Sequence, residues 1–512
     1  MHRAVVERTR PRPVRAAVAA GHVPGRSALI GGARWRGLLQ FGQQGLSVVA
    51  TIVLARLLIP ADFGIVAAAM SLVVFFQLGT TWGFEVAVVR RDRVDDDLLR
   101  GLFTASVLNS LPLVAAGCLL APLIAGLLDR PDATLAVVCL MPTVLLNAVN
   151  AVPSGLLQRE MRFRAAALVP LVATVIYVVL EIVLAVAGLG YWAVVIGMLV
   201  SAVVQTVGFF AASRWPIRLG DPRQALREEG SFSSLYFLAG VLFFGTRNLD
   251  YWIVGGTLGA TALGSYYVAF VLPTILRLRL SGVTHAILVP LYSRLRDDRE
   301  RLRRAYTAVT ELQIAVVFPM MAGTAILAGP IVATFFGHQW VDAAGPLRWI
   351  ALAAALDTLT LAHNPAALAE GLIGRNLAVL AAQLAALGAG VWIASSRTGN
   401  LTVVAAAVAV ASAVALVTSQ IVVARRLGLH VGLVAAPVAR ILAATAVMAA
   451  VVIPVAAVLD KIGLPAVVQL AVGAPVGIAA YLAAGMLISP ASFRRYLADA
   501  RQLVHPTSSP AA

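Results

Sequence analysis

Lysine, cysteine and charge of either sign are all scarce in this chain. Its 512 residues include one lysine, Lys461, and 12% of the residues are charged, against about 25% in a soluble globular domain. A P-loop needs a lysine directly after its glycine-rich turn, so ATP hydrolysis by that motif is excluded. A water-soluble fold needs a polar shell, and the charge available here is too small to build one.

Cysteine occurs twice, as Cys118 and Cys139, and both residues lie inside apolar runs. That placement predicts two small core residues, and neither a disulfide framework nor a metal site. The chain also lacks the His-Glu-x-x-His, Cys-x-x-Cys and Gly-x-Ser-x-Gly patterns of common metal, redox and nucleophilic enzymes. We therefore expect a protein that is not an enzyme and that uses no cofactor and no metal.

Long apolar runs dominate what is present. Hydrophobic residues make up 60% of the chain, and the mean hydropathy is +0.88. A membrane-spanning helix needs about 20 mostly apolar residues. The runs between charged clusters and Pro or Gly breaks therefore predict an all-α integral membrane protein. Its fourteen spans are predicted at residues 37–58, 64–88, 102–128, 133–155, 165–188, 191–212, 231–256, 261–290, 307–336, 344–371, 374–395, 400–424, 438–458 and 464–487.

The arginines lie in short clusters between the apolar runs, not along one amphipathic face. This placement excludes nucleic acid as a partner despite the formal net charge of +16. With the N-terminus in the cytoplasm, nearly all clusters fall on the cytoplasmic side, as the positive-inside rule requires. We expect a multi-pass protein with both termini cytoplasmic. The few basic residues of the predicted outer loops are Arg56, Arg130, Arg348, Arg397 and Lys461.

The same spans divide the chain into segments. We predict two six-helix lobes joined by a short cytoplasmic linker, two additional helices, and a tail at each end. The predicted segments are a basic disordered N-terminal tail at 1–36, the first lobe at 37–212, the linker at 213–230, the second lobe at 231–424, the two additional helices at 425–488 and a C-terminal tail at 489–512.

An internal repeat supports the two lobes. Residues 53–64 and 253–264 both form the turn between two predicted spans, and matching residues lie 200 positions apart. Repeats of this kind are how many alternating-access transporters are built. The sequence therefore favours two parallel copies of one six-helix unit. The matching pairs are Leu58 with Leu258, Gly64 with Gly264 and Ala69 with Ala269.

Ionisable side chains inside the predicted spans are the candidate site residues, because each costs about 2.5–3.5 kcal/mol to insert. Arg247 and Asp250 lie three residues apart, so they share a helix face and are positioned to pair. One interpretation of this pair is a structural ion pair. The other is a cavity charge that faces an anionic substrate. Arg56 ends the first span, where we expect it to cap that helix.

Four further charges belong to the candidate set. Arg277 and Arg279 follow Pro273 and, two positions apart, cannot share one helix face; at least one is expected to reach the cytoplasmic headgroups. A guanidinium that faces the lumen would suit a diphosphate. Asp357 is closest to mid-membrane. Glu85 lies near the cytoplasmic end of its span, where its carboxylate is either solvated by water or faces the cavity.

Eight short segments carry a resemblance to a known family. They are 54–64, with its Leu-Ala-Arg-Leu-Leu and Pro-x-Asp-Phe-Gly, then 84–91, 163–165, 190–193, 248–251, 263–269, 290–294 and 303–306. These segments resemble the Wzx-type polysaccharide flippases of the multidrug/oligosaccharidyl-lipid/polysaccharide (MOP) exporter superfamily. The similarity runs over roughly residues 35–425 and is strongest in the two hairpins, whereas the last two helices agree with the family only in their number.

The resemblance implies a V-shaped, MATE-like bundle with a central cavity in a bacterial inner membrane. Such proteins flip polyprenyl-diphosphate-linked oligosaccharides between leaflets for lipopolysaccharide or exopolysaccharide synthesis, with the lipid tail left in the bilayer. It implies that Arg247, Arg277 and Arg279 meet the diphosphate. Expected partners are the lipid-linked oligosaccharide and membrane lipids, together with a polysaccharide polymerase and glycosyltransferases.

Three alternatives stay open. A lipid II flippase belongs to the same superfamily. A multidrug exporter of that superfamily would hold acidic cavity residues, for which Asp357 is the best candidate. A membrane glycosyltransferase or polysaccharide polymerase would place its reacting residues in sizeable external loops. The predicted external loops are short and poor in charge, which disfavours this last class.

Overall fold

The computed structural model describes residues 26–81, 84–90, 94–294, 298–360, 373–427, 432, 435–490 and 493. Within these residues the chain forms sixteen α-helices and one 3-10 helix. The helices are α1 (Arg26–Leu57), α2 (Pro60–Thr81), α3 (Phe84–Arg90), α4 (Asp96–Leu127), α5 (Ala133–Leu140), α6 (Pro142–Arg159), α7 (Phe163–Val186), α8 (Trp192–Ser213), α9 (Arg223–Arg294), α10 (Arg299–Ile326), α11 (Ala328–Phe335), the 3-10 helix His338–Ala343, α12 (Ala344–Thr358), α13 (Ile373–Thr398), α14 (Leu401–Leu427), α15 (Ala435–Lys461) and α16 (Ala466–Ile488).

Eleven helices in the described part of the chain are long and apolar enough to cross a membrane. The chain is therefore a multi-pass, all-helical membrane protein. The predicted number of fourteen stays a prediction. The differences lie at α1, which is not among the eleven, at α9, which contains two predicted spans, and at α12, because residues 361–372 lie outside the described residues.

Helix boundaries differ from the sequence prediction in three places. α1 begins at Arg26, so the predicted start at residue 37 lies inside this helix. α9 begins at Arg223, which shortens the predicted linker at 213–230. The predicted span 133–155 lies within one candidate span at residues 133–159, which consists of two helices because Pro142 starts α6 after Met141 and supplies no backbone N–H to continue α5.

Gly259 divides α9 into two parts. Its φ of 80° and ψ of 178° are not helical, and a side chain would strain that conformation. The break falls between the predicted spans 231–256 and 261–290. We call helices α1–α8 the first half of the molecule and α9–α16 the second half.

The two halves meet where α2 crosses the second part of α9, and the two glycines of the repeat lie at this crossing. A methyl group on Gly64 would overlap the carbonyl group of Ala260, and one on Gly264 would overlap the carbonyl group of Pro60. Positions 60 and 64 are equivalent to positions 260 and 264 of the repeat. Each glycine therefore meets the other copy at the position equivalent to four residues before itself, so the crossing is symmetric. Two backbones can approach this closely only where side chains are absent.

Aromatic residues extend this contact between the halves. The Phe63 ring packs edge-on against Trp340, with centroids 5.0 Å apart, and Phe75 packs against Phe244 at 5.4 Å. The indole N–H of Trp252 donates to Ser71 Oγ at 2.6 Å. These contacts lie within one continuous apolar core that includes residues of both halves.

Side chains of each half also bind backbone carbonyls of the other. We call this region, which includes residues 55–60, 128–132, 187–191 and 334–343, the hairpin end. Arg56 donates to the carbonyl oxygens of Thr334 and Phe335, so it caps α11 and not its own helix as predicted. Gln339 and Trp340 donate to the carbonyl oxygen of Ala55, each at 2.7 Å. Helix C-termini leave such carbonyls unsatisfied, and each half supplies the missing donors of the other.

The other end of the bundle, with residues 94–96, 159–163 and 213–222, we call the opposite end. Its named contacts stay within the first half. Arg159 Nη1 donates to the carbonyl oxygen of Val88 at 2.9 Å, and the Gly220 N–H donates to Thr104 Oγ1 at 2.9 Å. Outer faces of the helices carry large apolar side chains such as Leu487, which is 84% exposed, as a bilayer permits.

Candidate functional site

Arg247 lies in the first part of α9, twelve residues before Gly259, which places it about 18 Å along the helix from that break. Its Nη1 is 3.5 Å from Asp357 Oδ2 of α12, and its guanidinium stacks 5.5 Å from the Phe243 ring centre. The side chain of Arg247 keeps 34% of its surface exposed, whereas that of Asp357 keeps 12%. A partly exposed cation therefore stands between α9 and α12.

Asp250 does not form the predicted pair with Arg247. The hydroxyl of Tyr266, in the second part of α9, donates to Asp250 Oδ2 at 2.9 Å, and Asp250 is 3% exposed. The two residues share a helix face, but Asp250 turns toward the buried tyrosine while Arg247 reaches the neighbouring helix. Sequence spacing could not reveal this because Asp357 lies 110 residues from Arg247.

Arg277 and Arg279 lie in the second part of α9, as predicted, but their side chains are outside what the structure describes. Glu85 lies on α3, away from the Arg247 group. It accepts a hydrogen bond from the side-chain amide of Gln158 on α6. The predicted candidates thus divide into a group around Arg247, Asp250 and Asp357 and a separate position around Glu85.

Among the described residues, the guanidinium of Arg247 has one carboxylate partner. One long contact reaches Asp357, and the buried Nε donates to no acceptor among the described residues. Guanidinium groups carry five N–H donors in a planar fork that fits phosphate oxygens. An exposed guanidinium beside one carboxylate can therefore exchange that partner for an anionic ligand.

A polar cavity of about 270 Å³ surrounds Glu85, and sequence reasoning missed most of its residues. Four polar side chains on α6 recur at intervals of three, four and four residues, which is one helix face. This regular spacing within an apolar run was the available signal. The cavity is lined by Glu85, Asn147, Asn150, Ala151, Ser154, Gln158, Ala166, Pro170, Gln205 and Phe209.

A second cavity, of about 480 Å³, lies in the second half between α10, α11, α15 and α16, and its walls are apolar. Its few polar atoms are already bonded. The Tyr481 hydroxyl donates to the Ala315 carbonyl oxygen at 2.7 Å, and the Thr324 hydroxyl donates to that of Met320 at 2.8 Å. Ile478 and Val316 line it and keep 63% and 44% of their surface exposed. The cavity therefore suits a hydrocarbon ligand.

Among the described residues, no three His, Cys, Asp or Glu side chains are grouped so that they could hold a metal ion. The candidate groups are instead a guanidinium with spare donors, amides with a carboxylate, and an apolar chamber. Each of these suits a different part of an amphiphilic ligand.

Comparison with known proteins places this arrangement in a wider context. The family model described as "Polysaccharide biosynthesis protein" matches residues 53–345. That range includes both hairpins of the repeat, the polar cavity, Arg247 and Asp250. Asp357 lies beyond it.

Curated relatives share this core at low identity. The succinoglycan biosynthesis transport protein ExoT of Rhizobium meliloti (strain 1021) is 28% identical over 63% of this chain and 66% of its own length. The lipopolysaccharide biosynthesis protein WzxC of Escherichia coli (strain K12) is 22% identical over 62% and 64%. The teichuronic acid biosynthesis protein TuaB of Bacillus subtilis (strain 168) is 21% identical over 67% and 71%. The chain thus spans just under two thirds of the length of the first two relatives.

Solved structures are similar in fold. The inward closed conformation of the lipid II flippase MurJ matches with a TM-score of 0.68 at 13% identity, over 88% of this chain and 98% of that chain. An inward-facing multidrug resistance MATE family transporter of the MOP superfamily matches with a TM-score of 0.61 at 16% identity, over 75% and 94%. At these identities the likeness shows a common fold alone, and this fold agrees with the MATE-like helix bundle that the resemblance implied. The fourteen-helix, two-lobe layout stays a prediction.

Proposed function

The chain belongs to the polysaccharide biosynthesis protein family, and on that premise we propose that it is a lipid-linked oligosaccharide flippase. It moves a polyprenyl-diphosphate-linked oligosaccharide from the inner to the outer leaflet of a bacterial plasma membrane during synthesis of a cell-surface polysaccharide. Relatives named for succinoglycan transport and for lipopolysaccharide and teichuronic acid biosynthesis support this substrate class. The protein performs transport and no enzymatic step, and both its termini are cytoplasmic.

Arg247 is the observation that carries the proposal. A guanidinium with unused donors inside a membrane protein is costly unless it serves a ligand or a cavity. A diphosphate supplies the oxygens that its fork of N–H groups lacks. Asp357 holds the guanidinium in position while the site is empty and is displaced when the anion binds.

The hairpin end supports alternating access. There each half caps helix ends of the other through Arg56, Gln339 and Trp340, while the named contacts at the opposite end stay within one half. With the hairpin end outside, this state is closed to the exterior. Loading then takes place from the cytoplasmic side, and release requires the contacts of the hairpin end to break.

The apolar cavity between α10, α11, α15 and α16 is the place for part of the lipid tail. Its lining residues Ile478 and Val316 are exposed, so a tail can enter it from the bilayer without crossing polar surface. Ala474 lies on the cavity wall. We expect a photoreactive polyprenyl chain to crosslink at Ala474. Crosslinking at Ala484, which is buried on the same helix and does not line the cavity, should remain at background.

An exchange of charges between Arg247 and Asp357 tests the function. Arg247→Asp alone leaves two carboxylates side by side and should destabilise the fold by about 3–5 kcal/mol. The double variant Arg247→Asp/Asp357→Arg restores the ion pair and should regain most of the thermal stability. It nevertheless moves the guanidinium to α12, so we expect transport of a fluorescent lipid-linked oligosaccharide in proteoliposomes to stay at least about tenfold below wild type.

Thermal stability and transport together distinguish a ligand-binding role of Arg247 from a purely structural one. A double variant that is both stable and fully active would show that Arg247 serves only its ion pair, which contradicts the proposed role. A wild-type protein that moves no lipid-linked oligosaccharide, and a deletion strain with normal polymer, would overturn the flippase proposal itself. The polysaccharide polymerase and glycosyltransferases are the partners that we propose, and co-purification with the tagged protein tests them.

A further inference from the structure

The polar cavity of the first half has no role in the charge exchange around Arg247. Its floor is the polar face of α6, where Asn147, Asn150, Ser154 and Gln158 follow one another over eleven residues, or about 16 Å. A spanning helix gains nothing by presenting four polar side chains to a packed apolar core. The polar face of α6 therefore points to a ligand that occupies the cavity.

Close packing of α3 on α6 brings an acidic side chain, that of Glu85, into place at the cavity. A methyl group on Gly155 would lie 3.0 Å from Val88 Cβ and 3.2 Å from the Glu85 carbonyl oxygen, so the glycine lets α3 approach. The Gln158 amide then donates to Glu85 Oε1. This hydrogen bond fixes the carboxylate at the cavity wall and leaves its second oxygen available.

Asn150 is the clearest sign of a missing partner. The residue is 6% exposed, and its Oδ1 accepts no hydrogen bond from the described residues. A buried carbonyl oxygen without a donor costs about 1–3 kcal/mol. The cavity therefore presents acceptors, at Asn150 and Glu85, that call for a ligand rich in donors.

We propose that this cavity binds one sugar residue of the lipid-linked substrate, a step that rests on the proposed flippase function. Sugar hydroxyls both donate and accept, which matches amides that offer both kinds of group beside a carboxylate that only accepts. The Phe209 ring on the wall offers an apolar surface to the C–H face of a sugar ring. At about 270 Å³ the cavity is smaller than the roughly 300–1,000 Å³ of drug-sized sites, so it fits one residue and not a whole oligosaccharide.

Its place in the fold gives the site a role. Glu85, Gln158 and Arg159 lie toward the opposite end, where α3 and α6 terminate. Substrate that loads from that side meets this cavity before the hairpin end opens. The site thus selects the sugar while Arg247 holds the diphosphate, and the two contacts together distinguish a glycosylated lipid from a bare one.

Two probes separate the sugar from the rest of the substrate. The full-length protein in nanodiscs is titrated with polyprenyl diphosphate that carries the oligosaccharide and with polyprenyl diphosphate that carries none. The variants Asn150→Leu and Gln205→Leu remove amides from the cavity. The control Asn109→Leu removes the same type of residue from α4, where its amide is bound to the Gly79 carbonyl oxygen outside the cavity.

We expect each cavity variant to bind the glycosylated lipid about tenfold more weakly while its affinity for the sugar-free lipid is unchanged. Asn109→Leu should leave the ratio of the two affinities at the wild-type value. Competition by free glucose or galactose against the glycosylated lipid, lost in Asn150→Leu, would show that the sugar alone is recognised. Competition that persists in the variant would place recognition elsewhere.

Other outcomes overturn the proposal. Equal loss of affinity for both lipids in Asn150→Leu would mean that the cavity supports the fold and not the sugar. Lipid binding that depends on Na⁺ in wild type, and loses this dependence in Asn150→Leu, would assign the cavity to a cation. If wild type binds neither lipid, the flippase function itself fails, and that result is distinct from failure of the sugar site.

Discussion

The two ends of the bundle are built differently. At the hairpin end the halves touch through backbone, with glycines crossing glycines and side chains capping the carbonyls of the other half. At the opposite end the described contacts that we name are local, between neighbouring helices of the first half. The described contacts thus join the two halves directly at the hairpin end.

The largest effect on this contrast should come from a methyl group in the glycine crossing. In Gly64→Ala and Gly264→Ala the new Cβ meets a backbone carbonyl that cannot move aside, so we expect a loss of about 3 kcal/mol for each variant. Thermal unfolding in detergent measures it. Gly42→Ala on α1 meets no atom within 4 Å and should gain about 0.5–1 kcal/mol from the removal of a helix glycine. Equal effects at all three positions would refute the crossing.

A second variant tests whether the side-chain caps hold the hairpin end closed. Gln339→Leu/Trp340→Phe removes both donors to Ala55 while it keeps an aromatic ring against Phe63. A cysteine at the buried position Ala61, in a chain without Cys118 and Cys139, should react about tenfold faster with an impermeant maleimide.

The matched control for this variant lies within the second half. Gln469 on α16 donates to the Leu464 carbonyl oxygen at 3.0 Å, so it also caps a backbone group but joins no halves. Gln469→Leu should lower thermal stability without a change in the labelling rate at residue 61. Faster labelling in the control would mean that the reporter responds to general loosening and not to the caps.

A smaller effect is expected at the opposite end, where Asp95 caps α4. Its Oδ1 accepts from the Leu98 N–H at 2.8 Å, and Asp95→Ala should cost about 1 kcal/mol of stability. Because this contact is local, the labelling rate at residue 61 should not change. Asp97→Ala, whose side chain is 94% exposed, should stay within about 0.5 kcal/mol of wild type.

The smallest effect belongs to the exposed ion pair at the hairpin end. A hydrogen bond from Arg130 lowers the pKa of Asp132 below its ordinary value of 3.8. The pair therefore stabilises the fold above pH 3.8, and the contribution is lost as the pH falls through the lowered pKa. Both side chains are about a third or more exposed, so Arg130→Gln should cost less than about 1 kcal/mol at pH 7. The difference in melting temperature from wild type should vanish below that pKa.

Much of the fold could be predicted because spanning helices obey a simple length and polarity rule. The predicted turn between residues 256 and 261 falls on Gly259, and the repeat aligned the two glycines that form the crossing. The break at Met141 was not predicted, since it interrupts an apolar run without a change in polarity. The cap from Arg56 to Thr334 was also inaccessible, because it joins residues 278 positions apart.

The candidate site could be predicted only in part, because the sequence does not show which side chains contact one another in the fold. Arg247 and Asp250 were singled out as costly charges, and helical spacing favoured pairing them with each other. Their actual partners, Asp357 and Tyr266, are set by tertiary packing. Asn150 was overlooked because a search for charged residues within apolar runs does not select neutral amides. The regular spacing of the polar residues on α6 was nevertheless visible in the sequence.

The single lysine has a practical consequence at the bench. Lys461 is exposed at the end of α15, on the same side as the hairpin end, and it is the sole side-chain amine in the chain. An amine-reactive dye that cannot cross lipid thus marks one internal peptide in the unmodified protein, without engineered cysteines or tags. Whether intact cells or only broken ones acquire that mark tells directly which way the molecule is inserted.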